Sequence, residues 1–150
     1  LVRICRNGKA IQPEFAPRYY DAISLGIDFT ARDVQAQAKK DGHPWEKAKA
    51  FDGSAVISKK WHVLDKLDQD WESLSFYLEK NGKRVQTGSS RDMIHHVDAL
   101  IAHVSKYMTL KMGDVLFTGT PAGVGQVFDG DVLEGFLDGE SMFRVNVHGE

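Results

Sequence analysis

A tight turn between two short segments is the sequence feature that most restricts the fold of this chain. Apolar residues alternate with polar or smaller ones from Leu74 to Leu78, Asn81-Gly82 follows, and a second segment runs from Arg84 to Gln86. Side chains of a strand alternate between the two faces of a sheet, and Asn-Gly suits the two-residue turn of a hairpin. The pattern therefore predicts a β-hairpin, and the fold must contain a sheet.

The remaining segments predict more strands than helices. Apolar residues recur at helical spacing from Ile94 to Met108, and further helices are predicted from Pro13 to Ser24 and, with Thr30 as the cap, to Lys39. Strands are predicted at residues 1–6, 25–27, 56–57, 115–117, 131–136 and 142–147. Because the strands come as hairpins rather than in regular alternation with helices, we predict a mainly β fold with a few helices (α+β). Its sheet is expected to be folded over or barrel-like.

The composition indicates a globular protein of about one domain. The chain has 150 residues, 42% of them hydrophobic and 27% charged, and its net charge is −2. This charge does not point to nucleic acid, and no apolar run reaches the roughly 20 residues that cross a bilayer. A single cysteine, Cys5, excludes an intramolecular disulfide and suits a reducing compartment, so we expect a cytoplasmic protein.

The beginning of the chain lies inside a predicted strand. Its first residue is Leu1 rather than methionine. We therefore expect residues 1–150 to be a single catalytic-type domain that lacks its N-terminal part.

Three polar residues follow the predicted strand at residues 25–27. A carboxylate at Asp28 suits a hard cation such as Mg²⁺, although one carboxylate is not a metal site. If positions 28, 32 and 35 are helical, Arg32 and Gln35 share a face with Asp28. The arginine could then bind a carboxylate through two hydrogen bonds, and the glutamine could bind a keto oxygen. A turn aspartate and a solvated helix surface explain the same residues.

Two further positions could hold an anion. Lys49 lies among small and aromatic residues, which predicts partial burial and the need for a negatively charged partner. Thr118, Gly119 and Thr120 follow a predicted strand, and hydroxyl and backbone N–H groups at such a turn can hold a carboxylate or an oxyanion. A surface lysine and an ordinary turn are the alternatives. The six histidines show no spacing typical of zinc ligands, and Gly-x-Ser-x-Gly is absent.

Several of these segments, taken in order, resemble the fumarylacetoacetate hydrolase superfamily. The resemblance covers nearly the whole chain. It is carried by residues 28–35, 49–52, 81–86, 108–110 and 113–125. Residues 39–45, followed by Ala48-Lys49, are most similar to the small acylpyruvate hydrolase branch, whose members also act on oxaloacetate.

The resemblance implies a role for each candidate residue. Asp28 would help to bind Mg²⁺ or Mn²⁺. Arg32 would face the substrate, with Lys49 and Gln35 as catalytic groups. The loop of Thr118, Gly119 and Thr120 would hold the substrate carboxylate, with Thr120 favoured. The family's Glu-x-Glu metal pair and its His/Glu dyad correspond to positions before Leu1.

The resemblance also implies a fold, an assembly and a reaction. The expected fold is a mixed, largely β roll of the fumarylacetoacetate hydrolase C-terminal type, assembled as a homodimer. The first functional hypothesis is metal-dependent hydrolysis of the C–C bond of acylpyruvates or related 1,3-diketo acids. The alternatives are decarboxylation or tautomerisation of oxaloacetate, isomerisation of a hydroxydienoate, and an inactive binding or dimerisation module. All the enzymatic hypotheses take a small keto acid as substrate.

Overall fold

A computed structural model describes residues 1–66 and 73–149. The described residues form the strands β1 (Val2–Ile4), β2 (Tyr20–Ile23), β3 (Gly26–Asp28), β4 (Ala55–Ile57), β5 (His62–Val63), β6 (Ser75–Lys80), β7 (Lys83–Ser89), β8 (Val115–Leu116), β9 (Val132–Leu137) and β10 (Glu140–Asn146). Its α-helices are α1 (Arg32–Lys40) and α2 (Val97–Tyr107). Short 3-10 helices lie at Pro13–Arg18, Glu46–Ala48, Leu64–Lys66 and Ser90–Asp92. The prediction of a mainly β fold with a few helices is confirmed.

The named strands form sheets of four, four and two members. One sheet has the order β5-β2-β1-β8, the second has the order β10-β9-β6-β7, and β3 pairs with β4 alone. The hairpin predicted around Asn81-Gly82 is confirmed, because β6 and β7 pair directly and the two turn residues have φ of 53° and 74°. Positive φ at both turn positions is what the favoured two-residue hairpin turn requires.

Two of the predicted helices have different boundaries in the structure. The helix predicted from Pro13 to Ser24 is wrong beyond Arg18, where a 3-10 helix ends and β2 soon begins. Pro17 lies inside this 3-10 helix and lacks the backbone N–H that a longer α-helix would use, so the segment does not continue as a regular α-helix. The helix predicted from Ile94 begins only at Val97, and Ile94 is 92% exposed.

The core lies between α2 and the sheets. Ser105 is fully buried on α2, where its hydroxyl accepts a hydrogen bond from the Ile11 N–H at 2.9 Å and donates one to the Ala102 carbonyl at 3.0 Å. This serine ties the helix to the segment before the first 3-10 helix. The apolar members of the cluster are Val2, Ile4, Ile11, Ala16, Tyr20, Ile23, Leu74, Val97, Ile101, Leu110, Leu137 and Met142.

The order of the first sheet brings two distant segments of the chain to the same end. β1 is antiparallel to both β2 and β8, and Val2 lies opposite Ile23 on one side and Leu116 on the other. β2 and β8 therefore run in the same direction, about 10 Å apart across β1. The chain leaves β2 towards Asp28 and leaves β8 towards Thr118 at this common end.

The tip of the β6–β7 hairpin is fastened to the start of β9 through Asp131. The carboxylate of Asp131 accepts hydrogen bonds from the Phe128 N–H at 2.9 Å and the Asn81 amide at 2.7 Å, and it lies 3.5 Å from Nζ of Lys80. These donors, the Phe128 N–H first, hold the pKa of Asp131 below its usual value. The ionised carboxylate is therefore part of the folded structure.

We expect the stability of the protein to fall when Asp131 is protonated. Because its pKa is lower in the folded than in the unfolded protein, the contribution is complete above the unfolded pKa of about 4 and disappears as the pH falls through the folded pKa. Urea unfolding between pH 6 and pH 3 should therefore show a weaker acid dependence for Asp131→Asn than for the wild type. Asp65→Asn, at an exposed position, is the control and should follow the wild type. Parallel curves for Asp131→Asn and the wild type would contradict this assignment.

Candidate functional site

The β3–β4 pair brings Asp28 and Lys49 together. Asp28 is the last residue of β3 and lies opposite Ala55. Beyond the strands, the Phe29 N–H donates to the Ser54 carbonyl at 2.7 Å and the Ala31 N–H donates to the Ala48 carbonyl at 3.0 Å. These bonds continue the pairing, so that the residue after Ala48 lies beside the end of β3.

The Lys49 ammonium is held by two oxygen atoms. Its Nζ lies 2.5 Å from Oδ2 of Asp28 and 2.8 Å from Oγ1 of Thr30. The Lys49 side chain is 27% exposed and that of Asp28 is 50% exposed. The predicted partial burial of Lys49 is confirmed. An ammonium has three N–H donors, so one remains for a further acceptor.

The prediction that Thr30 caps the following helix is wrong. Ala31 occupies the N-cap position of α1 without a side-chain hydrogen bond, and the Thr30 hydroxyl accepts from Lys49 instead. The capping pattern depends on local spacing alone. A lysine 19 residues away in the sequence competes for the same hydroxyl.

Arg32 and Gln35 form a second group at the start of α1. Nη1 of Arg32 lies 3.5 Å from Oε1 of Gln35, a long contact between side chains three residues apart. Asp28 ends a strand, so the expected helical face contains Arg32 and Gln35 but not Asp28. Arg32 is exposed and Gln35 is half-buried, which leaves both accessible to a small molecule.

The threonine loop begins two residues after β8. Thr118 is half-buried, whereas Gly119 and Thr120 are exposed. Gly119 has φ of 115°, a conformation that glycine adopts readily and other residues rarely do. Oγ1 of Thr120 accepts a hydrogen bond from Nε2 of Gln86 at 3.0 Å, so the loop is fixed to β7.

The structure therefore contains three separate groups of candidate residues: Asp28 with Lys49, Arg32 with Gln35, and the threonine loop. No hydrogen bond or ion pair among residues 1–66 and 73–149 joins Asp28–Lys49, Arg32–Gln35 and the threonine loop to one another. A cavity of about 270 Å³ is lined by residues between Arg6 and Tyr19 and contains none of these groups.

The described residues do not by themselves fit a complete metal site. They contain no group of three His, Cys, Asp or Glu side chains that could hold a metal ion. Magnesium prefers about six oxygen ligands, and Asp28 can supply one carboxylate among them. Among the described residues, Asp28 can therefore supply one carboxylate ligand but does not form a metal site with other acidic or histidine side chains.

Sequence reasoning missed the roles of Thr30 and Gln86. Local patterns predict Thr30 as a helix cap and Gln86 as part of a hairpin and of the family motif at residues 81–86. The sequence places Gln86 on the returning strand of the hairpin but does not indicate its hydrogen-bond partner. Finding that partner required the position of a loop 34 residues away.

Comparison with known proteins identifies the family. Residues 1–147 match the model of the fumarylacetoacetate (FAA) hydrolase C-terminal family. The chain belongs to this family. The resemblance inferred from the ordered motifs is confirmed, and so is the expected type of fold.

Several proteins that this chain resembles are named as enzymes. The chain is 46% identical over 118 residues to oxaloacetate tautomerase of Escherichia coli strain K12, covering 79% of this chain and 53% of the relative. It is 38% identical over 146 residues to the mitochondrial oxaloacetate tautomerase of Rattus norvegicus, covering 97% and 65%. The crystal structure of fumarylpyruvate hydrolase from Pseudomonas aeruginosa in complex with Mn²⁺ and pyruvate superposes with a TM-score of 0.90 at 32% identity, covering 99% and 63%.

The chain spans between about half and two thirds of the length of these relatives. Within the described residues, none of the helices has the length and apolar character needed to cross a membrane.

Proposed function

We propose that the protein is an enzyme that forms and stabilises the enolate of a small 2-keto acid. The observation that carries this proposal is the Lys49 ammonium, which is partly buried, is fixed by Asp28 and Thr30, and keeps one N–H donor. A fixed cationic donor stabilises negative charge that develops on an oxygen atom, and it does so without reorganising during the reaction. An enolate oxygen is such an atom.

Arg32 and Gln35 would bind the keto acid itself. Because Oε1 of Gln35 faces the Arg32 guanidinium, its amide nitrogen is directed elsewhere and can donate to a keto oxygen. The Arg32 guanidinium has five N–H donors and suits a carboxylate through two parallel hydrogen bonds. This pair would orient the substrate next to Lys49.

The loop of Thr118, Gly119 and Thr120 would bind a substrate carboxylate. This proposal is supported by the common direction of β2 and β8, which brings the loop and Asp28 to one end of the first sheet. Thr120 is the favoured contact because this residue is exposed, whereas Thr118 is half-buried.

Asp28 would be one ligand of a divalent cation, Mg²⁺ or Mn²⁺. When bound, such an ion supplies a Lewis acid that polarises a carbonyl group. The Mn²⁺ in the Pseudomonas aeruginosa complex supports the proposal. The chain also enters β1 at this end of the first sheet. The carboxylates that the family resemblance assigns to positions before Leu1 would therefore approach Asp28 there.

Two reactions share this enolate chemistry. Hydrolysis of the C–C bond of an acylpyruvate is the reaction expected from the motifs, and it is supported by the fumarylpyruvate hydrolase structure. Tautomerisation of oxaloacetate has equal support, from relatives named oxaloacetate tautomerase at 46% and 38% identity. Decarboxylation of oxaloacetate stays an alternative with the same enolate chemistry. Hydrolysis also needs an activated water, for which the described residues offer no assigned base.

The products distinguish these reactions. We expect the full-length protein, supplied with Mg²⁺ or Mn²⁺, to turn over acetylpyruvate or oxaloacetate. A hydrolase releases pyruvate from acetylpyruvate, and a decarboxylase releases pyruvate and CO₂ from oxaloacetate. A tautomerase changes the enol absorbance of oxaloacetate without releasing pyruvate. Absence of turnover with all substrates, together with absence of Mn²⁺ binding, would favour the inactive binding or dimerisation module.

Three further expectations remain part of this proposal. We propose that residues 1–150 act as one catalytic-type domain, that the protein is a homodimer, and that it acts in the cytoplasm. Large apolar side chains exposed among the described residues, including Tyr107 and Met112 at 71% each, are compatible with a contact between subunits.

A further inference from the structure

The loop that follows Thr118 lies directly on strand β7. A Cβ atom added to Gly123 would be 2.5 Å from the Val85 carbonyl oxygen, and one added to Gly88 would be 3.0 Å from Cγ of Pro121. A side chain at Gly123 would clash with the strand backbone, and one at Gly88 would crowd Pro121, so the loop and the strand lie at close range. The position of the loop is therefore set by β7.

The far end of the same loop is held by the tip of the hairpin. Nζ of Lys80 donates to the Gln126 carbonyl at 3.1 Å and lies 5.6 Å from the centre of the Phe128 ring. Asp131 accepts from the Phe128 N–H at 2.9 Å. The β6–β7 hairpin thus fixes the loop at its beginning and at its end.

Gln86 makes the contact at the beginning of the loop. Its Nε2 donates to Oγ1 of Thr120 at 3.0 Å and to the Pro121 carbonyl at 3.1 Å. A carbonyl oxygen only accepts, so the amide nitrogen and not the amide oxygen of Gln86 must face the loop. The Thr120 hydroxyl consequently accepts from Gln86, and its own hydrogen remains available to another acceptor.

We propose that Gln86 is a positioning residue that presents the Thr120 hydroxyl as a hydrogen-bond donor to the carboxylate of the keto-acid substrate. This inference rests on the proposed function, in which the threonine loop binds that carboxylate. Gln86 does not touch the substrate. It fixes both the place of the hydroxyl oxygen and the direction in which its hydrogen can point.

The variant Gln86→Glu tests which partner of the contact with Thr120 donates the hydrogen, and it changes the shape of the side chain little. An ionised carboxylate only accepts, so Gln86→Glu would take the hydrogen of the Thr120 hydroxyl and would lose the bond to the Pro121 carbonyl. The substrate carboxylate would then meet an acceptor in place of a donor. Gln86→Leu removes the amide and adds no charge, and it serves as the second variant if the glutamate variant does not fold.

The measurement is steady-state kinetics of the full-length protein on whichever keto acid it turns over. We expect Gln86→Glu to raise KM about 10- to 100-fold, the usual range for a lost hydrogen bond to a charged group. Its kcat should stay within about threefold, because this contact exists before and during the reaction. The control is Thr87→Ala, at the next position of β7, where the side chain lies on the opposite face of the strand; it should keep the wild-type KM.

A double-mutant cycle separates this inference from the proposed function. If Thr120→Ala raises KM and Gln86→Glu has no further effect in that background, Gln86 acts through Thr120 as proposed. If Thr120→Ala raises KM but Gln86→Glu leaves it unchanged, or if the two effects simply add, the positioning role is wrong and the proposed function stands. If Thr120→Ala keeps the wild-type KM, the assignment of the carboxylate to this loop is wrong, and the proposed role of Gln86 is wrong as well.

Discussion

Replacing Lys49 by methionine is expected to lower kcat on the preferred keto acid by about 10²- to 10³-fold, the usual cost of removing one donor from an oxyanion site. Methionine keeps much of the length and apolar volume of the lysine stem but provides no donor. Asp28 is half exposed, so water can replace the ammonium there. A partly exposed ion pair contributes at most about 1 kcal/mol, and the melting temperature should change by only a few degrees.

Lys47→Met is the matched control for this prediction. Lys47 is an exposed lysine of the adjacent 3-10 helix, two residues before Lys49, and it has no assigned role in the site. Both variants remove one positive charge from the same short segment. If Lys49→Met turned over substrate at the wild-type rate, Lys49 would not be the group that stabilises the enolate. Equal losses in the two variants would indicate a general effect of charge.

Local patterns in the sequence predicted the parts of the fold that depend on neighbouring residues. The β6–β7 hairpin follows from alternation and from Asn81-Gly82, because the turn conformation is set by those two residues themselves. Asp28 was expected after a short strand and is the last residue of β3. Both predictions needed only the chemistry of a few consecutive residues.

Contacts between distant residues could not be predicted in the same way. Lys49 was expected to need an anion, yet nothing in its neighbourhood indicated that Asp28, 21 residues earlier, would provide it. The Gln86–Thr120 bond spans 34 residues and depends on where a glycine-containing loop crosses β7. These pairings come from sheet order and loop packing, which arise only when the whole chain is folded. The ordered family motifs identified the segments that contain these residues. The structure was needed to show which residues of different segments contact each other.

Replacing Asp28 by asparagine is expected to weaken Mn²⁺ binding by at least about 100-fold, since even residues that only support a metal ligand contribute 10- to 100-fold. The amide is neutral and one of its two oxygens is replaced by a donor nitrogen, so it is a poor ligand for a hard cation. Isothermal titration calorimetry with Mn²⁺ measures this affinity without any assay of activity. Asp33→Asn, an exposed carboxylate in the first turn of α1, is the control and should bind Mn²⁺ as the wild type does.

The two variants together separate metal binding from charge stabilisation. Lys49 places a positive charge 2.5 Å from Oδ2 of Asp28, and like charges repel, so the ammonium opposes a second cation at this carboxylate. Lys49→Met should therefore bind Mn²⁺ at least as tightly as the wild type while losing turnover, whereas Asp28→Asn should lose both. Wild-type Mn²⁺ affinity in Asp28→Asn would remove Asp28 from the metal site. Weaker Mn²⁺ binding in Lys49→Met would mean that the lysine orients the carboxylate for the ion instead of competing with it.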